Sequence, residues 1–158
     1  MSATFTYESP IGKLLITLSD SGIKQIKFVE DETNGLEIVA HPSHEIVKQI
    51  QEYFDLKRTA FTLPLDLQGT VFQKKVWQAL LAIPFGTTLS YLKVAQKLGD
   101  PKKVRAVAAA IAKNPVLILV PCHRVIGSDA KLVGYSGGLQ RKQALLKLEG
   151  FQFQNSLF

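Results

Sequence analysis

An α/β fold in two parts is predicted for this chain. A small N-terminal strand-and-helix lobe spans residues 1–68. A mostly helical C-terminal lobe spans residues 69–158 and contains a helix-turn-helix, winged-helix-like in type. Three observations carry this. Three short β-type runs, separated by turn signals, open the chain. Amphipathic helical periods dominate after Gly69. Charge divides at nearly the same point: residues 1–70 hold six Lys/Arg and ten Asp/Glu, a net of −4, and residues 71–158 hold thirteen and three, a net of +10.

A chain of 158 residues builds one domain, or one small and one medium lobe, and 46% apolar content supports a core. No run reaches the roughly 18 apolar residues of a membrane span, and no basic and apolar leader begins the chain. A cytoplasmic protein without a membrane partner is expected (nuclear if eukaryotic). One cysteine, Cys122, allows neither an internal disulfide nor a cysteine-rich zinc site. His41 and His44 have no further Cys or His nearby, so no metal is expected. The basic second half points to a polyanion partner.

Residues 3–8, 12–19 and 22–29 read as strands, with imperfect alternation in the third. Pro10-Ile11-Gly12 and Asp20-Ser21-Gly22 mark the turns of a meander. Residues 30–37 are acidic and read as loop. Pro42-Ser43 opens a helix through about Asp55, with Ile46, Ile50 and Phe54 one turn apart. Phe61 to Leu65 is a short extended piece. Residues 71–83 form a helix with Phe72, Val76, Trp77, Leu80 and Leu81 on one face, Trp77 being core. Ser90 caps a helix over 91–98 that Gly99 closes, and Asp100-Pro101 begins another, through about Lys113. Two short helices around a tight Gly-containing turn, the second basic, are a helix-turn-helix pattern.

In the second of these helices Val104, Val107, Ala108 and Ile111 share the core face, at i, i+3, i+4 and i+7. Lys102, Arg105, Ala106, Ala109 and Lys113 lie opposite. That outer face, basic at its edges and small in the middle, suits a nucleic-acid groove. Asn114-Pro115 ends the helix. An apolar run, Val116 to Val120, reads as a buried strand leading to Pro121-Cys122-His123-Arg124-Val125. Gly127 to Val133 is loop, and Gly134-Tyr135-Ser136-Gly137-Gly138 is a loop able to bring amides, a phenol and a hydroxyl to a ligand. Leu139 to Leu148 is the last helix, with Leu139, Leu145, Leu146 and Leu148 inward, and Glu149-Gly150 closes it.

A free cysteine is most often a small buried hydrophobe. Here a titratable imidazole and a guanidinium follow it at once. Such groups are costly to place beside a merely structural thiol, and they are what a thiolate nucleophile needs. Neighbours on an extended strand point to opposite faces, so a relay from His123 to Cys122 through water, or a bent strand end, fits better than a direct bond.

From Phe72 to Gly150 the chain resembles the O6-alkylguanine-DNA alkyltransferases. Ser90-Tyr91, Arg105-Ala106-Val107, Asn114-Pro115, Pro121-Cys122-His123-Arg124-Val125, Tyr135-Ser136-Gly137-Gly138 and Leu148-Glu149-Gly150 stand in that family's order. The resemblance implies single-turnover, irreversible repair of double-stranded DNA containing O6-alkylguanine by a monomer without cofactor. O4-alkylthymine is left open as a further substrate. Cys122 would accept the alkyl group, His123 would act as base through a water, and Glu149 would orient it. Tyr135 would protonate the leaving guanine, Ser136 would hold O6, and the backbone at Cys122 and Val125 would read the exocyclic amine. Asn114 would brace the turn before the active site. Tyr91 would help rotate the nucleotide outward, and Arg105 would fill the stack it leaves. Ser90, Lys102, Ala106 and Lys113 belong to the same DNA-facing set. Many relatives carry glycines where this chain has Ala108 and Ala109.

Two rivals stand beside this reading. A non-catalytic DNA-binding module accounts for the basic half but gives Cys122, His123 and Glu149 no purpose. A cysteine hydrolase uses Cys122 and His123 but gives the basic helix none.

Overall fold

The computed structural model describes residues 3–30, 44–127 and 132–152. The chain forms two compact units, Met1–Gln68 with Pro115–Leu117, and Gly69–Asn114 with Ile118–Phe158. Residues 31–37 of the acidic segment, His41, the start of the helix at Pro42-Ser43, and Lys131 lie outside the described residues.

In the first unit β1 (Ala3–Ser9), β2 (Gly12–Ser19) and β3 (Gly22–Phe28) form an antiparallel meander. Phe5, Ile16 and Ile26 oppose one another across the sheet and are all buried. The imperfect alternation of β3 has a physical cause. A register shift opposite Thr17/Leu18 pairs Leu18 with Ile23 and Thr17 with Gln25, so Lys24 is extra. The bulge restores Ile23 and Ile26, three residues apart, to one buried face. Two short segments add to β3 in parallel, Leu65 beside Ile23 and Val116 beside Ile26. The Ile23 amide donates to the Pro64 carbonyl at 3.0 Å and the Ile26 amide to that of Pro115 at 2.9 Å.

Gly22 is required at the first junction. Its φ is +149°, and a Cβ there would stand 2.5 Å from the Pro64 carbonyl oxygen. Gly22→Ala is expected to destabilise the protein by roughly 2–4 kcal/mol, measured by urea denaturation, because the clash is with backbone.

The helix α1 (His44–Phe54) turns Ile46, Ile50 and Tyr53 inward. Phe54, expected on that face, is half-buried instead. Tyr53 sits one residue closer to the line through Ile46 and Ile50, and its ring meets Phe61 at 5.4 Å. Gln49 is buried because Thr62 binds both ends of its amide.

The second unit begins with α2 (Val71–Leu81), whose Thr70 and Gln73 form a capping box. Val76, Trp77 and Leu80 face inward, and the Trp77 indole donates to the Ala110 carbonyl at 2.9 Å. A two-residue strand β4 (Leu89–Ser90) leads into α3 (Tyr91–Lys97), which Ser90 caps. A 3-10 turn at Pro101–Lys103, capped by Asp100, leads into α4 (Val104–Ala112). The second helix of the helix-turn-helix is therefore shorter than expected, its first turn being 3-10 and Lys113 its C-cap.

The segment Val116–Val120 corrects the sequence expectation. It is buried throughout, but it is a series of turns, not a strand. Pro115 and Pro121 flank it without N–H groups, and Ile118 takes φ +73°, which breaks extended pairing. Cys122–Arg124 is a single 3-10 turn followed by β5 (Val125–Ile126), which pairs in parallel with β4. The alternation expected of neighbours on an extended strand does not hold for Cys122 and His123, because neither residue is extended. In α5 (Leu139–Leu148), Leu145 and Leu146 are buried. Leu139, expected inward, is 49% exposed because its turn opens the helix, and Leu148 is half-buried. Lys142 is buried in their place.

Candidate active site

A pocket of about 290 Å³ opens in the second unit. Tyr91, Ala108, Ile111, Ala112, Cys122 and residues 133–136 line it. The 3-10 turn presents Cys122, α3 presents Tyr91, the loop before α5 presents Tyr135 and Ser136, and α4 supplies the small apolar wall. Ala108, expected to face the core, stands in this wall and is half-buried. Its i+4 partner Ala112 lines the pocket with it, so one stripe of α4 forms a pocket wall and not packed core.

Cys122 is a free, buried thiol. Burial pushes it up to about 11, opposed by the Asn114 amide, then by the Lys142 charge, then by a backbone amide. It is therefore a thiol at neutral pH and needs a base. Asn114 is buried and braces the turn, its amide donating to the Val120 carbonyl at 2.9 Å.

Behind the thiol lies a buried ionic cluster. His123 Nε2 is 2.7 Å from Glu149 Oε2. Arg124 donates from Nε to Glu149 Oε1 at 2.8 Å and from its terminal nitrogen to Oε2 at 3.0 Å. The other Arg124 terminal nitrogen donates to the Ile83 carbonyl at 2.7 Å, and the Gly86 amide donates to Glu149 at 3.4 Å. A carboxylate held in an arginine fork is an acceptor. The proton between His123 and Glu149 therefore sits on Nε2, and Nδ1 carries the lone pair. Nδ1 is buried and has no hydrogen-bond partner among the described residues. Burial lowers the His123 pKa, against the pull of Glu149. The imidazole is thus neutral at pH 7, with its basic nitrogen available.

Two family models match this chain, one in each part. Residues 71–151 match the DNA binding domain of 6-O-methylguanine DNA methyltransferase, and residues 4–67 match the ribonuclease-like domain of the same. The chain belongs to the 6-O-methylguanine DNA methyltransferase family. The methylated-DNA–protein-cysteine methyltransferase of Mycobacterium leprae is 44% identical, covering 95% of this chain and 93% of that protein. The one from Methanosarcina barkeri is 44% identical over 90% and 93%. Among solved structures, Mycobacterium tuberculosis OGT in complex with DNA superposes with a TM-score of 0.85 at 43% identity, covering 93% of this chain and 92% of that one.

Within this methyltransferase family member, the residues singled out in the sequence fall into three sets. Cys122, Tyr91, Tyr135 and Ser136 share the pocket. His123, Glu149 and Asn114 are buried, the first two joined directly. Arg105, Ala106, Lys102 and Lys113 are exposed on and beside α4, away from the pocket lining. Ser90 is half-buried and occupied as the α3 cap. The Val125 carbonyl, expected to read a base amine, already accepts from Lys142 at 2.7 Å. Tyr91 donates its hydroxyl to the Val133 carbonyl at 2.9 Å.

Lys142 is the residue that sequence reasoning missed. It is fully buried, and its ammonium donates to the carbonyls of Val125, Val133 and Gly134. One signal was present. The spacing of Lys142 to Leu145, Leu146 and Glu149 (i, i+3, i+4, i+7) puts it on the inward stripe of α5.

Proposed function

We propose that this protein repairs duplex DNA by transferring the alkyl group of O6-alkylguanine to Cys122, once per molecule. The observation that carries this is the buried, lone thiol in a pocket, backed by a neutral histidine whose other nitrogen is fixed by a carboxylate. His123 Nδ1 takes the thiol proton through a bridging water. The sulfur attacks the alkyl carbon, the S–C bond forms and the bond to O6 breaks. The departing guanine takes a proton from a pocket phenol. Tyr135 is the first assignment. Tyr91 is the second, because it lines the same pocket. Ser136 holds O6. The thioether is stable and no second nucleophile is used, so each molecule acts once.

The guanine must leave the stack to reach the pocket, at a cost of a few kcal/mol. Exposed Lys102, Lys113 and Arg105 and small Ala106 suit a minor-groove approach with Arg105 entering the gap. The first lobe carries none of these groups, and the boundary near Gly69 separates it from the DNA-binding and acceptor lobe. The protein works as a monomer in the cytoplasm, without metal or cofactor.

Intact mass after mixing with excess duplex containing one O6-methylguanine tests the reading. A gain of one methylene, about 14 Da and mapped to Cys122, is expected, with none in Cys122→Ala. Tight lesion binding without mass change would favour the non-catalytic module. Repeated turnover of a small ester or amide would favour the hydrolase. Arg105→Ala should slow repair of duplex more than of the free modified base, in single-turnover assays. Equal slowing of both would remove Arg105 from the stack.

A further inference from the structure

Among the described residues of the second unit, Lys142 is a buried titratable group that the alkyl-transfer scheme does not use. Lys142 has no exposed surface, yet a buried ammonium is expensive unless each proton finds an acceptor. Its three protons are matched by three carbonyls, Val125 at 2.7 Å, Val133 at 2.9 Å and Gly134 at 3.2 Å. These carbonyls are not scattered. Val125 follows directly on the 3-10 turn that presents Cys122, and Val133 and Gly134 directly precede Tyr135 and Ser136. The Val133 carbonyl also accepts the Tyr91 hydroxyl from α3.

We propose that Lys142 is the positioning residue of the acceptor pocket, its ammonium pinning the nucleophile turn, the Tyr135–Ser136 loop and, through the shared Val133 carbonyl, Tyr91 at fixed separation. This rests on the alkyl-transfer reading and adds to it the group that assembles the walls. The three bonds tie Val125 to Val133 and Gly134, and they leave a positive charge beside the thiol. The facing groups are Tyr91 from α3, whose ring centre is 5.8 Å from the ammonium, and Cys122 and His123 from the 3-10 turn. Burial lowers the Lys142 pKa to about 8, opposed by the Cys122 thiolate. The clamp is therefore largely charged at neutral pH.

The test uses the full chain with Lys142→Met, which keeps length and apolar bulk, and Lys142→Arg, which keeps charge without the fit. Because Cys122 is the single cysteine, the pH dependence of its alkylation by iodoacetamide, mapped to Cys122 by mass, reports its thiolate without DNA. In Lys142→Met the thiolate fraction at a given pH should fall roughly tenfold. Single-turnover methyl transfer at saturating duplex should fall about tenfold or more, with duplex affinity within about twofold of the parent. Lys142→Arg should regain the thiol titration but not the transfer rate. A folded Lys142→Met with parental titration and transfer overturns the proposal. If that variant does not fold, Lys142→Arg decides: a parental transfer rate in it overturns the proposal. A parent protein that transfers no methyl removes the functional reading, while the thiol titration still tests the lysine.

Discussion

Glu149→Gln is expected to lower stability by about 3–5 kcal/mol and to reduce methyl transfer more than tenfold. The two effects have one origin. Glu149 is 5% exposed and takes hydrogen bonds from Arg124 twice, from His123 and from the Gly86 amide. Gln is nearly isosteric, so packing survives while the countercharge to a 6% exposed guanidinium is lost. A buried pair broken on one side leaves an uncompensated charge, which is the costly case. The amide also presents one oxygen where the carboxylate presents two, so it cannot serve both the arginine fork and the imidazole. His123 then loses the acceptor that holds its proton on Nε2, and Nδ1 is no longer fixed as the basic nitrogen. Urea denaturation reads the first effect and single-turnover transfer the second. A loss of stability under 1 kcal/mol would mean that Arg124 and the surrounding dipoles satisfy one another without the carboxylate.

That cluster was only half legible in the sequence. Cys122 and His123 are adjacent, so their chemistry could be read without a fold. Glu149, 26 residues from His123, came only with the family resemblance. The meander was legible because its turns are written in Pro10, Gly12 and Gly22, and the bulge at Lys24 was visible as a broken alternation without a cause. The run Val116–Val120 misled because burial and β-branching favour a strand. The deciding features are Pro115, Pro121 and the positive φ of Ile118, and only the last is invisible in composition. Ala108 was placed in the core by helical phase, which cannot tell a packed face from a pocket wall. Lys142 marks the remaining limit: a buried lysine is decided by where three carbonyls happen to converge, and they come from three positions between Val125 and Gly134.

Asn114→Ala should slow alkylation of Cys122 by iodoacetamide roughly tenfold at pH 8 and reduce stability by about 1–3 kcal/mol. The Asn114 amide does two jobs from one position at the end of α4. It satisfies the buried Val120 carbonyl at 2.9 Å, holding the turn that replaces the expected strand. It is also the largest influence favouring the Cys122 thiolate, ahead of the Lys142 charge. Alanine leaves the carbonyl without its donor in a buried site, and the thiol without its main relief from desolvation, so the Cys122 pKa rises beyond about 11. The sign of the pH dependence follows. Reaction with iodoacetamide, like methyl transfer, should need higher pH in the variant, and raising pH should restore part of the rate. A destabilised variant whose thiol reacts like the parent's at every pH would confine Asn114 to bracing the backbone. A stable variant with a slow thiol would confine it to electrostatics. Both effects together are expected, because the turn that places Cys122 and the field that ionises it come from the same side chain.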